Sequence, residues 1–114
     1  MRVLVCGSRF WKDYGKIKAR LLLLPKDCTI IEGEAPGADL VSRTVAIEIG
    51  LDVVGVCANW TRYGKAAGPI RNDRMLRFKP HLVLAFHEDI ESSRGTKDTV
   101  TKARNLGIPV EVIT

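Results

Sequence analysis

The sequence predicts an α/β fold built on a parallel sheet, and three observations lead there. Five short runs rich in β-branched and aliphatic residues (residues 2–6, 29–31, 52–57, 81–86 and 110–113) alternate with four stretches of helical periodicity. The runs are almost continuously apolar, as strands covered on both faces are. Glycine or proline marks nearly every junction. A β-α unit repeated four times and closed by a fifth strand calls for a parallel sheet with helices on both faces. The right-handed crossover rule leaves few arrangements, and a Rossmann-like five-stranded sheet of order 3-2-1-4-5 is expected. Residues 1–114 are expected to form a single domain, long enough for one core.

Each element has its own warrant. After the first strand, Gly7 to Trp11 reads as a loop, and a helix opens near Asp13. Tyr14, Ile17, Leu21 and Leu24 recur at three- and four-residue steps, and Pro25 stops the helix. The second strand leads through Gly33, Pro36 and Gly37 into a helix over 38–49, with Val41, Val45 and Ile49 as its stripe and Gly50 as its cap. Residues 59–68 read as a polar loop holding Trp60 and Tyr63. Pro69 suits the first turn of a helix that runs to about Lys79, before Pro80. The last helix opens at Gly95-Thr96, carries Val100, Ala103 and Leu106 as its stripe, and ends at Gly107 with Pro109 beyond.

Composition narrows the function classes. Hydrophobic content of 46% with 27% charged residues is that of a globular chain rather than a disordered one. No apolar run approaches the roughly 20 residues of a membrane helix. The N-terminus carries no signal-peptide pattern, so a cytoplasmic location is expected, with no membrane partner. A net charge of +5 moderately favours polyanions. Arg62, Lys65, Arg71, Arg74, Arg77 and Lys79 form the densest basic group; a solvated face and a phosphate-attracting surface are both open readings. Cys6, Cys28 and Cys57 lie in or beside strands, without C-x-x-C spacing, and read as buried reduced thiols. His81 and His87 have no partners at ligand spacing, so neither a metal nor a cofactor is expected.

The unusual loops all follow strands, which puts them on one edge of the sheet, where open α/β sheets bind ligands. Gly33 and Gly37 flank a strand-to-helix crossing of the kind that suits an anion. Ser92, Ser93, Gly95 and Thr96 offer hydroxyls and amides at another helix start; capping by Ser93 and anion binding can coexist there. Gly7, Ser8 and Arg9 come from the first loop, Ala38 from the second helix, and Arg71 with Asn72 from the third. Trp11 and Trp60 are loop aromatics that suit either stacking on a base or packing against protein. Glu34 and Asp39 are the nearest carboxylates. They suit sugar hydroxyls or, by analogy with glycosidic cleavage, catalysis. A first-turn charge stabilising the helix end is the plainer role for Asp39, and Glu32 has no assigned direction.

Taken in order, Gly7-Ser8-Arg9, Gly33-x-Ala35-Pro36-Gly37-Ala38-Asp39, Trp60, Ala67-Gly68-x-x-Arg71-Asn72-x-x-Met75 and Ser93-x-Gly95-Thr96 resemble the SLOG superfamily, in its small YspA/YpsA-like branch. The resemblance spans the whole chain. It implies a Rossmann-like fold, an association with nucleotides and their derivatives, homo-oligomers, and a bacterial or phage setting. Relatives include the LOG phosphoribohydrolases and the DNA-processing protein DprA. Against the LOG pattern Pro-Gly-Gly-x-Gly-Thr-x-x-Glu, this chain keeps Gly95-Thr96 and has Thr99 where the catalytic Glu stands. The resemblance therefore implies a binder of a nucleotide or nucleotide-derived signal, possessing the phosphate-binding half of the pattern. Two alternatives stand beside it. One is a hydrolase of such a ligand using Asp39 or Glu34; the other is single-stranded nucleic-acid binding through the basic group and the aromatics.

Overall fold

A computed structural model describes all 114 residues. Its parallel strands are β1 (Arg2–Gly7), β2 (Thr29–Glu32), β3 (Asp52–Gly55), β4 (Leu82–Phe86) and β5 (Val110–Ile113). They lie in the expected order β3-β2-β1-β4-β5. The helices are α1 (Tyr14–Leu21), α2 (Ala38–Glu48), α3 (Trp60–Tyr63), α4 (Ala67–Arg77) and α5 (Gly95–Asn105).

The two-residue period of the strands divides the core. On one face Val3, Val5, Ile30, Leu84 and Phe86 pack with Ile17 and Leu21 of α1 and Val45 and Ala46 of α2. On the other, Leu4, Cys6, Ile31, Val83 and Ala85 pack with Met75 and Leu76 of α4 and Val100 and Ala103 of α5. Burying each larger aliphatic or aromatic side chain contributes roughly 1.5–3 kcal/mol, so both layers are needed to hold the sheet between them. Register fixes where the strands stop together: Gly7 stands beside Phe86, and Glu32 beside Gly55.

Four local expectations are corrected. Helix α1 is capped by the Asp13 side chain, which accepts the Lys16 N–H, but it ends at Leu21; Leu22 and Leu23 are exposed. In α5, Leu106 is exposed, and the inward stripe instead includes Thr96 and Thr99. A helix face tolerates buried threonine where its hydroxyl finds a carbonyl, and Thr99 Oγ1 lies 3.4 Å from Gly95 O. Residues expected as a polar loop are largely helical. Asn59 caps α3, a 3₁₀ turn covers Gly64–Ala66, and α4 starts at Ala67, so Pro69 sits third in it. Finally, β3 stops at Gly55, which leaves Cys57 beyond the sheet and exposed, unlike buried Cys6 and Cys28.

Candidate functional site

The strands β1 and β4 are adjacent in space although their helices cover opposite faces, so the sheet has its switch point between them. A cleft of about 1140 Å³ opens past the strand ends there. The first loop gives it Gly7, Ser8, Arg9 and Phe10; the turn after β2 gives Gly33, Glu34 and Asp39. Cys57 and Trp60 line it from beyond β3, and Arg71 and Asn72 from α4. The loop after β4 contributes His87, Ser92, Ser93 and Arg94, and α5 contributes Gly95, Thr96 and Thr99.

The turn between β2 and α2 engages part of its backbone internally: four of its amides have acceptors in the chain, while the Gly37 and Asp39 N–H groups have none. Asp39 Oδ2 accepts from Gly33 N–H at 3.0 Å and Ala35 N–H at 3.3 Å. Glu34 N–H donates to Glu32 Oε1, and Ala38 N–H donates to Ser8 O. Gly37 is pressed against the first loop with φ at 82°; a Cβ there would fall on the Ser8 and Arg9 backbone. Gly37 and Ala38 therefore join two loops behind the cleft rather than lining it, a correction to their expected role. Burial raises the Asp39 carboxyl to about 6, even though the two amides and the nearby Arg71 guanidinium favour its charged form.

Glu34 takes a left-handed backbone, with φ at 59°. Its carboxylate meets Arg43 Nη2 at 2.7 Å, and the same nitrogen lies 3.2 Å from Glu32 Oε2. Glu32 points inward and is fully buried. Burial pushes its carboxyl up to about 7, with Arg43 opposing and Asp39 adding to the rise. Both expected catalytic carboxylates are thus held by their own chain, Asp39 through one oxygen and Glu34 through an ion pair.

The start of α5 likewise leaves amides open. Ser93 Oγ accepts the Thr96 N–H at 3.0 Å, so Ser93 does cap the helix. The amides of Gly95 and Lys97 find no protein acceptor. Asn72 Nδ2 donates to Asp98 Oδ2 at 3.0 Å and reaches Gly95 O at 3.4 Å, while its Oδ1 accepts from Arg71 Nε at 3.1 Å. Arg71 Nη1 then donates to Gly33 O at 2.9 Å. These two residues tie α5, α4 and the β2 turn together across the cleft floor.

Trp11 is corrected outright. It is only 5% exposed, stands edge-on to Phe86 with ring centroids 5.6 Å apart, and donates its indole N–H to Asp13 O. Its neighbour Phe10 is 75% exposed on the cleft, and Trp60 is 59% exposed there. Sequence reasoning missed Phe10, Cys57 and His87 among the lining residues. Adjacent loop aromatics carry no pattern that says which one the core takes.

No protein-family model matches the sequence. Across 118 aligned residues the chain is 33% identical to the Gene 61 protein of Mycobacterium phage D29, covering 96% of this chain and 93% of that one. The chain belongs to the family of that phage protein. Among solved structures, DNA processing protein A (DprA) of Streptococcus pneumoniae superposes with a TM-score of 0.80 at 19% identity. The match covers 99% of this chain and 50% of DprA, so this member of the Gene 61 family spans half the length of that protein. The likeness bears out the Rossmann-like fold. No helix is long and apolar enough to cross a membrane.

Proposed function

We propose that the cleft binds a nucleotide or nucleotide-derived ligand, with a phosphate at the start of α5, and that the protein acts as a binding or sequestering module. The carrying observation is the first turn of α5, where two amides without protein acceptors, Gly95 and Lys97, sit beside the Ser93 hydroxyl at a switch-point cleft. Helix N-terminal amides and the helix dipole together favour an anion. Arg9 and Arg94 line the same cleft and add planar donors suited to phosphate oxygens. Phe10 and Trp60 offer exposed aromatic surface for a base.

Catalysis has less support. A glycosidic hydrolase needs a carboxylate free to stabilise the sugar cation or activate water. Here Thr99 stands at the position of the LOG glutamate, Glu34 is paired with Arg43, and Asp39 caps its own turn. A second reading, single-stranded nucleic-acid binding, rests on the DprA-like fold and on the exposed Trp60, Tyr63 and Phe10. Its affinity would fall steeply with salt, whereas binding of a mononucleotide changes little.

Thr96→Glu tests the proposal. Thr96 is buried at the cleft, and a carboxylate there opposes a phosphate on the neighbouring amides. Calorimetry with nucleoside monophosphates should register at least about a tenfold loss of affinity, the equivalent of one like-charge contact. Unchanged affinity in a folded variant removes α5 as the phosphate site.

A further inference from the structure

We propose that Asp39 recognises a sugar hydroxyl of the ligand, which makes the β2–α2 turn the sugar end of the cleft and the α5 turn its phosphate end; this rests on the nucleotide reading above.

The two oxygens of Asp39 have different surroundings. Oδ2 accepts both turn amides, Gly33 and Ala35. Oδ1 accepts from no protein donor. No fully buried side-chain oxygen or nitrogen in the molecule lacks a partner, so Oδ1 is open to the cleft that Asp39 lines. The residue as a whole is only 6% exposed. A nearly buried carboxylate therefore presents one unpaired acceptor to the ligand space, and a carboxylate accepts without donating.

That acceptor selects its partner. A phosphate is excluded at Oδ1, because the two negative charges repel. A neutral donor is required, and a sugar hydroxyl is the uncharged donor that nucleotides carry apart from the base. The base has its own apolar surface at Phe10 and Trp60. Arg71, which holds Gly33 O at 2.9 Å, stands near enough to help keep the carboxylate charged. The turn geometry follows the same logic. A Cβ at Gly33 would come within 2.9 Å of Oδ2 and 2.8 Å of Arg71 Cδ, so a larger residue there would push one or both side chains aside.

The experiment compares the ribonucleoside 5′-monophosphates with their 2′-deoxy and 3′-deoxy counterparts by calorimetry, on the wild type and on Asp39→Asn. Asparagine retains an oxygen for the turn amides and presents an NH₂ to the cleft instead of an acceptor. For the best-bound base, removing one of the two hydroxyls should weaken wild-type binding at least about tenfold, the usual worth of a hydrogen bond to a charged group. In Asp39→Asn that gap should shrink to less than about threefold, since the charge-assisted bond is gone. Equal binding of ribo and deoxy forms by the wild type overturns this inference while leaving the nucleotide reading intact, and it needs no variant. An unchanged gap in folded Asp39→Asn overturns the assignment to Asp39. If no mononucleotide binds, both the reading and the inference fall.

Discussion

Asp39 fastens its own turn, and its burial carries a cost. Its folded-state carboxyl titrates near 6, above its ordinary value of 3.8, and Glu32 beside it titrates near 7. A raised carboxyl pKa means the folded state holds the proton more tightly than the unfolded chain does. The stability this confers is complete below about pH 4 and is lost as pH rises through about 6 for Asp39 and about 7 for Glu32. Asp39→Asn removes the ionisation and keeps the shape. Its unfolding free energy should gain on the wild type as pH rises from about 4 to about 6 and level off above, by an amount on the order of 2 kcal/mol. A difference that stays flat or reverses over that range contradicts the burial argument. Retention of a destabilising charge at a cleft is what a functional residue looks like. At this scale the sequence was legible in type and not in direction. Asp39, Glu34, Arg71 and Thr96 were all singled out and all line the cleft, yet Phe10 and Trp11 were exchanged. One-residue steps in a loop are set by packing against Phe86, and no periodicity records that.

The β2–α2 turn is the element on which the site depends. It is fastened from three sides: by Asp39 to its own amides, by Ala38 N–H to the first loop, and by Arg71 to Gly33 O. Gly37 makes the second contact possible. Gly50 also has positive φ, at 84°, but open space around it. Gly37→Ala should therefore cost about 2 kcal/mol or more in denaturant unfolding, and Gly50→Ala about 1 kcal/mol. Equal costs would mean that backbone angle alone matters and that the loop-to-loop contact does not. The glycines and the acidic residues of this turn were readable from sequence as a special crossing. Their effect was not, because an intramolecular carboxylate engages two of the turn's amides, Gly33 and Ala35. Helix ends show the same division. Asp13, Pro25 and Pro80 mark boundaries to within a few residues, while the short helix over Trp60–Tyr63 is too brief for periodicity to reveal.

At the scale of the molecule, alternation and crossover handedness narrowed the sheet to a few arrangements, and the observed order puts the switch point where the cleft lies. Residues from five separated stretches meet at that cleft, while Trp11, Gly37 and Ala38 do not line it. The kinship with the Gene 61 protein of phage D29 and the DprA-like fold agree with this architecture, and neither assigns a ligand. The central claim is that the cleft takes up a nucleotide and leaves it intact. It is tested most directly by incubating the purified protein with nucleoside monophosphates, NAD, ADP-ribose and cyclic nucleotides, filtering, and identifying by mass spectrometry what is retained and then released on denaturation. The account predicts one intact compound depleted from the filtrate and recovered from the denatured protein. A freed base or other fragment would contradict the binding module in favour of a hydrolase, and a full panel recovered free and intact would contradict nucleotide binding altogether.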